Sequence, residues 1–179
     1  MKRSDINPLP EYFDRYMNQV ADVELSQAFD DSIAVLNQLD IHQLEQLDGK
    51  IYAPDKWTCK TVIQHITDFE RIFSYRALLF ARGDKNTRQG VDENLLAENC
   101  RADMRSTAEV VAELKAVRLA TKALFDSFDE EVLRRAGINW KFEVSVASLG
   151  FTLLGHQIHH LNIIRERYLP LLNAEARTK

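Results

Sequence analysis

The sequence predicts an all-α four-helix bundle, and three observations carry that expectation. Glycine and proline are scarce, with six and four in 179 residues, whereas all-β chains spend more of both on turns. Four long segments carry apolar residues at helical spacing. No run alternates apolar and polar residues well enough to build a sheet.

The first helical segment opens after Pro8-Leu9-Pro10 and covers residues 11–19. Leu25, Phe29, Ile33 and Leu36 then repeat at helical spacing through 25–39, so the two segments form either one broken helix or two. A short helical turn at 44–47 closes on Gly49-Lys50. Ala53-Pro54-Asp55-Lys56-Trp57 reads as a loop that delivers an aromatic ring to the next helix. Thr58 is the expected N-cap of that helix, which runs to Arg82, and Gly83 is its expected C′ residue. Residues 84–105 are polar and broken by Gly90, with room for one short helix near 92–99. Ser106 or Thr107 caps a third long helix through Phe128. Gly137-Ile138-Asn139-Trp140 marks a turn with space for a short extended piece. Ser145 caps a fourth long helix to Tyr168, which Pro170 is expected to stop. The expected domain is residues 8–170, with short extra helices in its connections and polar termini at 1–7 and 171–179.

A chain of this length forms one domain and buries one sizeable core without disulfides. Apolar content of 45% with 28% charge belongs to a folded globular protein and argues against disorder. The formal net charge is −4, with both signs interspersed. No basic face is left for a phosphate backbone, so nucleic-acid binding is not expected. No stretch approaches the roughly 20 apolar residues of a membrane span. Met1-Lys2-Arg3-Ser4-Asp5 leads into no apolar run of the kind a signal peptide needs. Two cysteines, Cys59 and Cys100, make a poor disulfide framework, so the expected setting is the reducing cytoplasm.

The chemistry concentrates in the histidines. In the last long helix, Val146, Leu149, Leu153 and Ile164 point in nearly one direction and mark its buried face. His160 falls near the centre of that face and His156 roughly 50° to one side, whereas His159 points roughly 110° away, to the flank or solvent. Spacing of i and i+4 stacks His156 over His160, close enough to share an ion. His65 lies on the apolar stripe of the helix after Trp57, with Val62, Phe69, Ile72 and Leu79 within roughly 60° of it.

A single inward histidine is more often a hydrogen-bonded core residue than a ligand. Three are different, because each imidazole buried without partners costs about 1–3 kcal/mol per unmade bond. One ion satisfies three nitrogens together. Three neutral imidazoles suit zinc, nickel or iron(II) and leave positions open for water or substrate.

The run WTCKTVIQHITDFER at 57–71, with RAL at 76–78 and ARGD at 81–84, resembles the second helix of the DinB-like (damage-inducible) family. GHQIHHLNIIRERY at 155–168 is similar to that family's last helix, and the likeness spans residues 12–168. The resemblance implies an up-down-down-up bundle, often a homodimer, with three histidine ligands at a pocket between helices. Carried over by motif, those ligands are His65, His156 and His160. The family name describes gene induction and supplies no chemical reason for DNA contact.

Weaker features surround this set. Trp57 reads as a staple packing on the bundle, with the pocket mouth as its other reading. Cys59 reads as a small buried residue ahead of a nucleophile. Asp68, roughly 60° from His65, is the nearest carboxylate in sequence for orienting a ligand or taking a proton. Glu70, roughly 140° away, reads as a surface ion pair. Arg76 shares the face of His65 and reads equally as an anion-binding group or as an arginine snorkelling at the rim. No His-Glu-x-x-His motif builds a base into the ligand helix. The resemblance implies a small-molecule enzyme, either a metal-dependent transferase that moves a low-molecular-weight thiol to an electrophile or a metal-dependent hydrolase; a bundle that binds metal or a small ligand without catalysis is the reading of another class.

Overall fold

A computed structural model describes residues 1–84 and 86–176, so the last three residues of the expected 171–179 tail lie outside the described residues. Nine α-helices are described: α1 (Asp14–Met17), α2 (Leu25–Asn37), α3 (Ile41–Glu45), α4 (Cys59–Ala81), α5 (Glu93–Asn99), α6 (Thr107–Asp126), α7 (Glu130–Arg134), α8 (Val146–Ile163) and α9 (Leu169–Ala176). A two-stranded antiparallel hairpin, β1 (Ala136–Asn139) and β2 (Phe142–Ser145), precedes α8. The extended piece expected near Gly137 is thus a hairpin, and Arg88 bridges its first strand at Asn139, donating its amide to the Ile138 carbonyl at 2.9 Å.

Helix starts follow side-chain capping. Thr58 accepts from the Thr61 amide at 3.2 Å, and Ser145 from the Ser148 amide at 3.0 Å. Ser106 forms a capping box with Glu109, each side chain bonding the other's amide. Gly83, just past α4, takes a φ of +86°, the left-handed backbone that favours glycine after a helix end.

Three expectations are corrected. The first segment is one four-residue turn, shorter than the expected 11–19: Tyr12, just ahead of it, has a φ of +71°, and Asn18 is its C-cap. Pro170 does not stop the last helix. A π-helical turn over Ile164–Tyr168 shifts the hydrogen-bond register ahead of it, and the chain continues as α9. The ends are also less detached than their polarity suggests, since Met1 and Ile6 pack on one part of the core and Leu171 and Leu172 on another.

The four long helices form a ring in which α4 packs on α6 and α8, and α2 packs on the same two. Their directions follow from what lies side by side. Leu25 at the start of α2 and Phe125 at the end of α6 both crowd Gly150 near the start of α8. Phe80 at the end of α4 lies against Gly137, just before α8. Hence α2 and α8 run one way, α4 and α6 the other: up-down-down-up, with consecutive helices α2 and α4 on a diagonal. The core is split into two apolar clusters along the bundle. On α4, Ile63 and Ile66 belong to one, Phe73 and Ala77 to the other, and His65 and Glu70 stand at the join.

Candidate metal centre

Helix α4 brings His65 and helix α8 brings His156 and His160 to one point. Nε2 of His156 lies 3.1 Å from Nε2 of His65 and 3.1 Å from Nε2 of His160. One ligand atom from each residue falls within 4.8 Å of the other two. His65 and His156 are 6% and 4% exposed; His160 is half-buried.

Hydrogen bonding alone does not explain this packing. A ring nitrogen presents either one lone pair or one N–H in its plane, so Nε2 of His156 can satisfy one neighbour but not both. A shared ion satisfies all three. Zinc–nitrogen bonds of about 2.0–2.1 Å place tetrahedral ligand atoms about 3.3 Å apart, close to the separations found.

The surroundings favour neutral rings, whose lone pairs a metal needs. The Trp57 and Phe69 rings stand 4.9 and 4.6 Å from that of His65, and Tyr16 stands 5.3 Å from that of His156. Burial lowers His65 to about 4, with His159 adding to the effect. Burial, then His65 and His159, lowers His160 to about 3. His156 is pushed well below the ordinary imidazole range by burial, then by His160 and His65.

Two cavities flank Trp57. One, of about 320 Å³, is lined by His65, His160 and Trp57 together with Arg15, Tyr16 and His159. The second, of about 260 Å³, lies between Trp57, His160, Tyr52 and Tyr168. Trp57 therefore lines both, and its carbonyl accepts from the Tyr168 hydroxyl at 2.5 Å. Glu93, the first residue of α5, lines both.

The other sequence-derived residues lie elsewhere. Asp68 accepts from Gln64 at 2.9 Å and lies 3.7 Å from Arg71, and it lines neither cavity. Burial raises its carboxyl pKa, with Gln64 and Arg71 opposing. Arg76, three turns along α4 from His65, donates to Asn139 and to the Gln89 carbonyl, the latter at 2.8 Å. It fastens α4 to the hairpin and is not brought to the histidines. Cys59 is buried in the apolar core, and that burial pushes its thiol up to about 12. Glu70 corrects the surface expectation: it is 1% exposed and takes both arms of Arg118, at 2.8 and 2.7 Å. Helix α6 packs on this side of α4 and covers Glu70 through Arg118, while the neighbouring Arg71 stays exposed.

Sequence reasoning missed Arg15, Tyr16, Gln19 and Glu93, which no metal motif marks. It also left His159 at the flank, where the structure has it on the cavity wall. The signal for Tyr16 lies in Gly155: a Cβ there would fall 1.9 Å from the Tyr16 carbonyl oxygen, so glycine lets α1 close against α8 one residue before His156.

The fold and the histidine cluster together define a DinB-like bundle, and comparison with known proteins agrees. The chain belongs to the DinB superfamily, whose family model matches residues 23–164. Among solved structures it is similar to YfiT from Bacillus subtilis, described as a probable metal-dependent hydrolase with an unusual four-helix bundle topology. That match has a TM-score of 0.63 at 17% identity and covers 87% of this chain and 85% of that one. No curated protein matches the chain. At such identity the likeness carries the fold alone. No described helix is long and apolar enough to cross a membrane.

Proposed function

We propose that this protein is a metal-dependent enzyme that binds one divalent ion, zinc, nickel or iron, on His65, His156 and His160, and transfers a low-molecular-weight thiol to a small electrophile. The convergence of three buried Nε2 atoms on one point carries the reading. Among the described residues no fourth histidine, cysteine or carboxylate joins the cluster, which suits a site with open positions more than a closed structural one. An ion there supplies Lewis acidity, holding a thiol as its thiolate or lowering the pKa of water towards 7.

The chain's own residues do the rest. The three imidazoles stay neutral and aimed by packing against Trp57, Phe69 and Tyr16. Trp57 narrows the entrance and restricts water. A thiol that would release its proton to solvent on binding needs no protein base of its own, which fits the placement of Asp68 beyond the cavities. Hydrolysis is the second reading, favoured by Glu93 on the wall of both cavities as a proton acceptor for water, and by the description of the similar YfiT fold. Cytoplasmic residence and a homodimer complete the proposal, the first on the two free cysteines and the second on family membership.

The test is the metal content of tag-free protein beside His65→Ala and His160→Ala. Wild type is expected to carry about one ion per chain and each variant at least tenfold less. A wild-type melting temperature that neither zinc nor nickel moves would sink the metal reading. With metal established, thiol-conjugation and ester-hydrolysis assays on the loaded protein separate the two chemistries.

A further inference from the structure

The cavity beside the histidines is lined by an arginine that makes no ion pair among the described residues, and by one carboxylate, Glu93. Arg15, on α1, lines it together with His65, His159 and His160. Its guanidinium sits 4.0 Å above the Tyr12 ring and 4.7 Å from that of Tyr16, and it donates to the Tyr16 hydroxyl at 3.1 Å. These contacts hold its position and leave most of its five N–H donors unused. No carboxylate pairs with it among the described residues.

The platform beneath Arg15 is itself held in place. Tyr12 has a φ of +71°, a conformation a tyrosine keeps only where its surroundings impose it. The rings of Trp140 and Phe142, 5.5 and 6.1 Å away, fix the Tyr12 ring. Tyr16 in turn packs on His156 and His159, with ring centroids 5.3 and 5.5 Å away. A continuous set of contacts thus ties the exposed Arg15 side chain to the histidine cluster along the lining of one cavity.

We propose that Arg15, with His159 beside it, is the recognition site for a carboxylate on the substrate, so that the enzyme takes small molecules bearing a carboxylate at one end and their metal-directed group at the other. The inference rests on the metal reading above. A monoanion fits better than a phosphate because Glu93 shares the cavity, and a dianion facing one arginine would meet that carboxylate as well. Arginine's planar fork also matches a carboxylate in two-point contact.

Zinc-loaded protein, its metal content measured, is titrated calorimetrically with ω-mercaptocarboxylates of three to six carbons and with ω-mercaptoalcohols of the same lengths. At one or more lengths the carboxylate is expected to bind about tenfold more tightly than its alcohol. Arg15→Gln should bring the ratio close to one while keeping the zinc, and Arg15→Lys should retain part of the preference. Melting temperatures near that of wild type would show both variants folded. Zinc-loaded protein with no carboxylate preference at any length, or a preference that Arg15→Gln leaves intact, overturns this inference alone. Protein that holds no zinc sinks the metal reading and this inference with it.

Discussion

Between the rings of Trp57 and Phe69, a charged His65 would lose its hydration and find no carboxylate in return, and the same holds for His160. Their pKa values of about 4 and about 3 in the folded protein compare with roughly 6.5 for a free imidazole. Between those values the unfolded chain binds more protons than the folded one, so stability rises with pH across that window. Metal-stripped protein is therefore expected to keep this contribution above about pH 6.5 and to lose a few kcal/mol as pH falls towards 4. Thermal melts from pH 8 to 4 check it, with His65→Phe as a control that should lose less. A melting temperature as flat as the control's across that range would contradict the assignment of neutral buried histidines.

At the scale of the element, α8 owes its site to one missing methyl group. Gly155 sits where the α1 backbone comes closest, and a Cβ would meet the carbonyl carbon of Tyr16 at 2.4 Å as well as its oxygen. Backbone atoms cannot step aside as a side chain can. Gly155→Ala gains about 1 kcal/mol of helix propensity but must push α1 outward, and overpacking of this kind costs typically 1–3 kcal/mol and occasionally more. The expected outcome is a net loss of stability, read as a lower urea midpoint, together with at least a tenfold weaker hold on zinc as Tyr16 withdraws from His156. An alanine variant as stable and as metal-avid as wild type would show that α1 is not seated by this contact.

Across the whole molecule, one polar layer separates the two apolar clusters. Arg118 on α6 pairs with Glu70 on α4, reaches Ser32 on α2, and Ser32 donates to Gln157 on α8 at 3.0 Å. All four long helices contribute one residue, and the layer adjoins His156 in the chain. Arg118 and Glu70 are 0% and 1% exposed. Buried pairs gain little over a well-packed apolar pair, but removing one partner strands the other charge at a cost of about 3–5 kcal/mol. Glu70→Leu or Arg118→Met alone should therefore destabilise the protein by about that amount. The double variant should recover most of the loss, with the coupling read from a double-mutant cycle in urea. Additive losses would mean that the two side chains do not act as a pair.

The long helices were legible in the sequence because their signals are local. Thr58, Ser106 and Ser145 bond amides within their own first turns, and His156 and His160 share a face through the pitch of one helix. The three candidate ligands were legible for the same reason, helped by motifs on the two helices that carry them. Periodicity states which side of its own helix a residue occupies; it does not state what that side meets. Glu70 looked solvent-facing because it turns away from His65, yet α6 covers it. Asp68 and Arg76 looked close to the site, yet Gln64 and Arg71 hold one while the hairpin holds the other. Arg15, Tyr16 and Glu93 reach the cavity from segments far from the histidines in the chain. Which helices become neighbours, and so which charges face the histidine cluster, is set by packing between distant segments, and only the tertiary structure decided it.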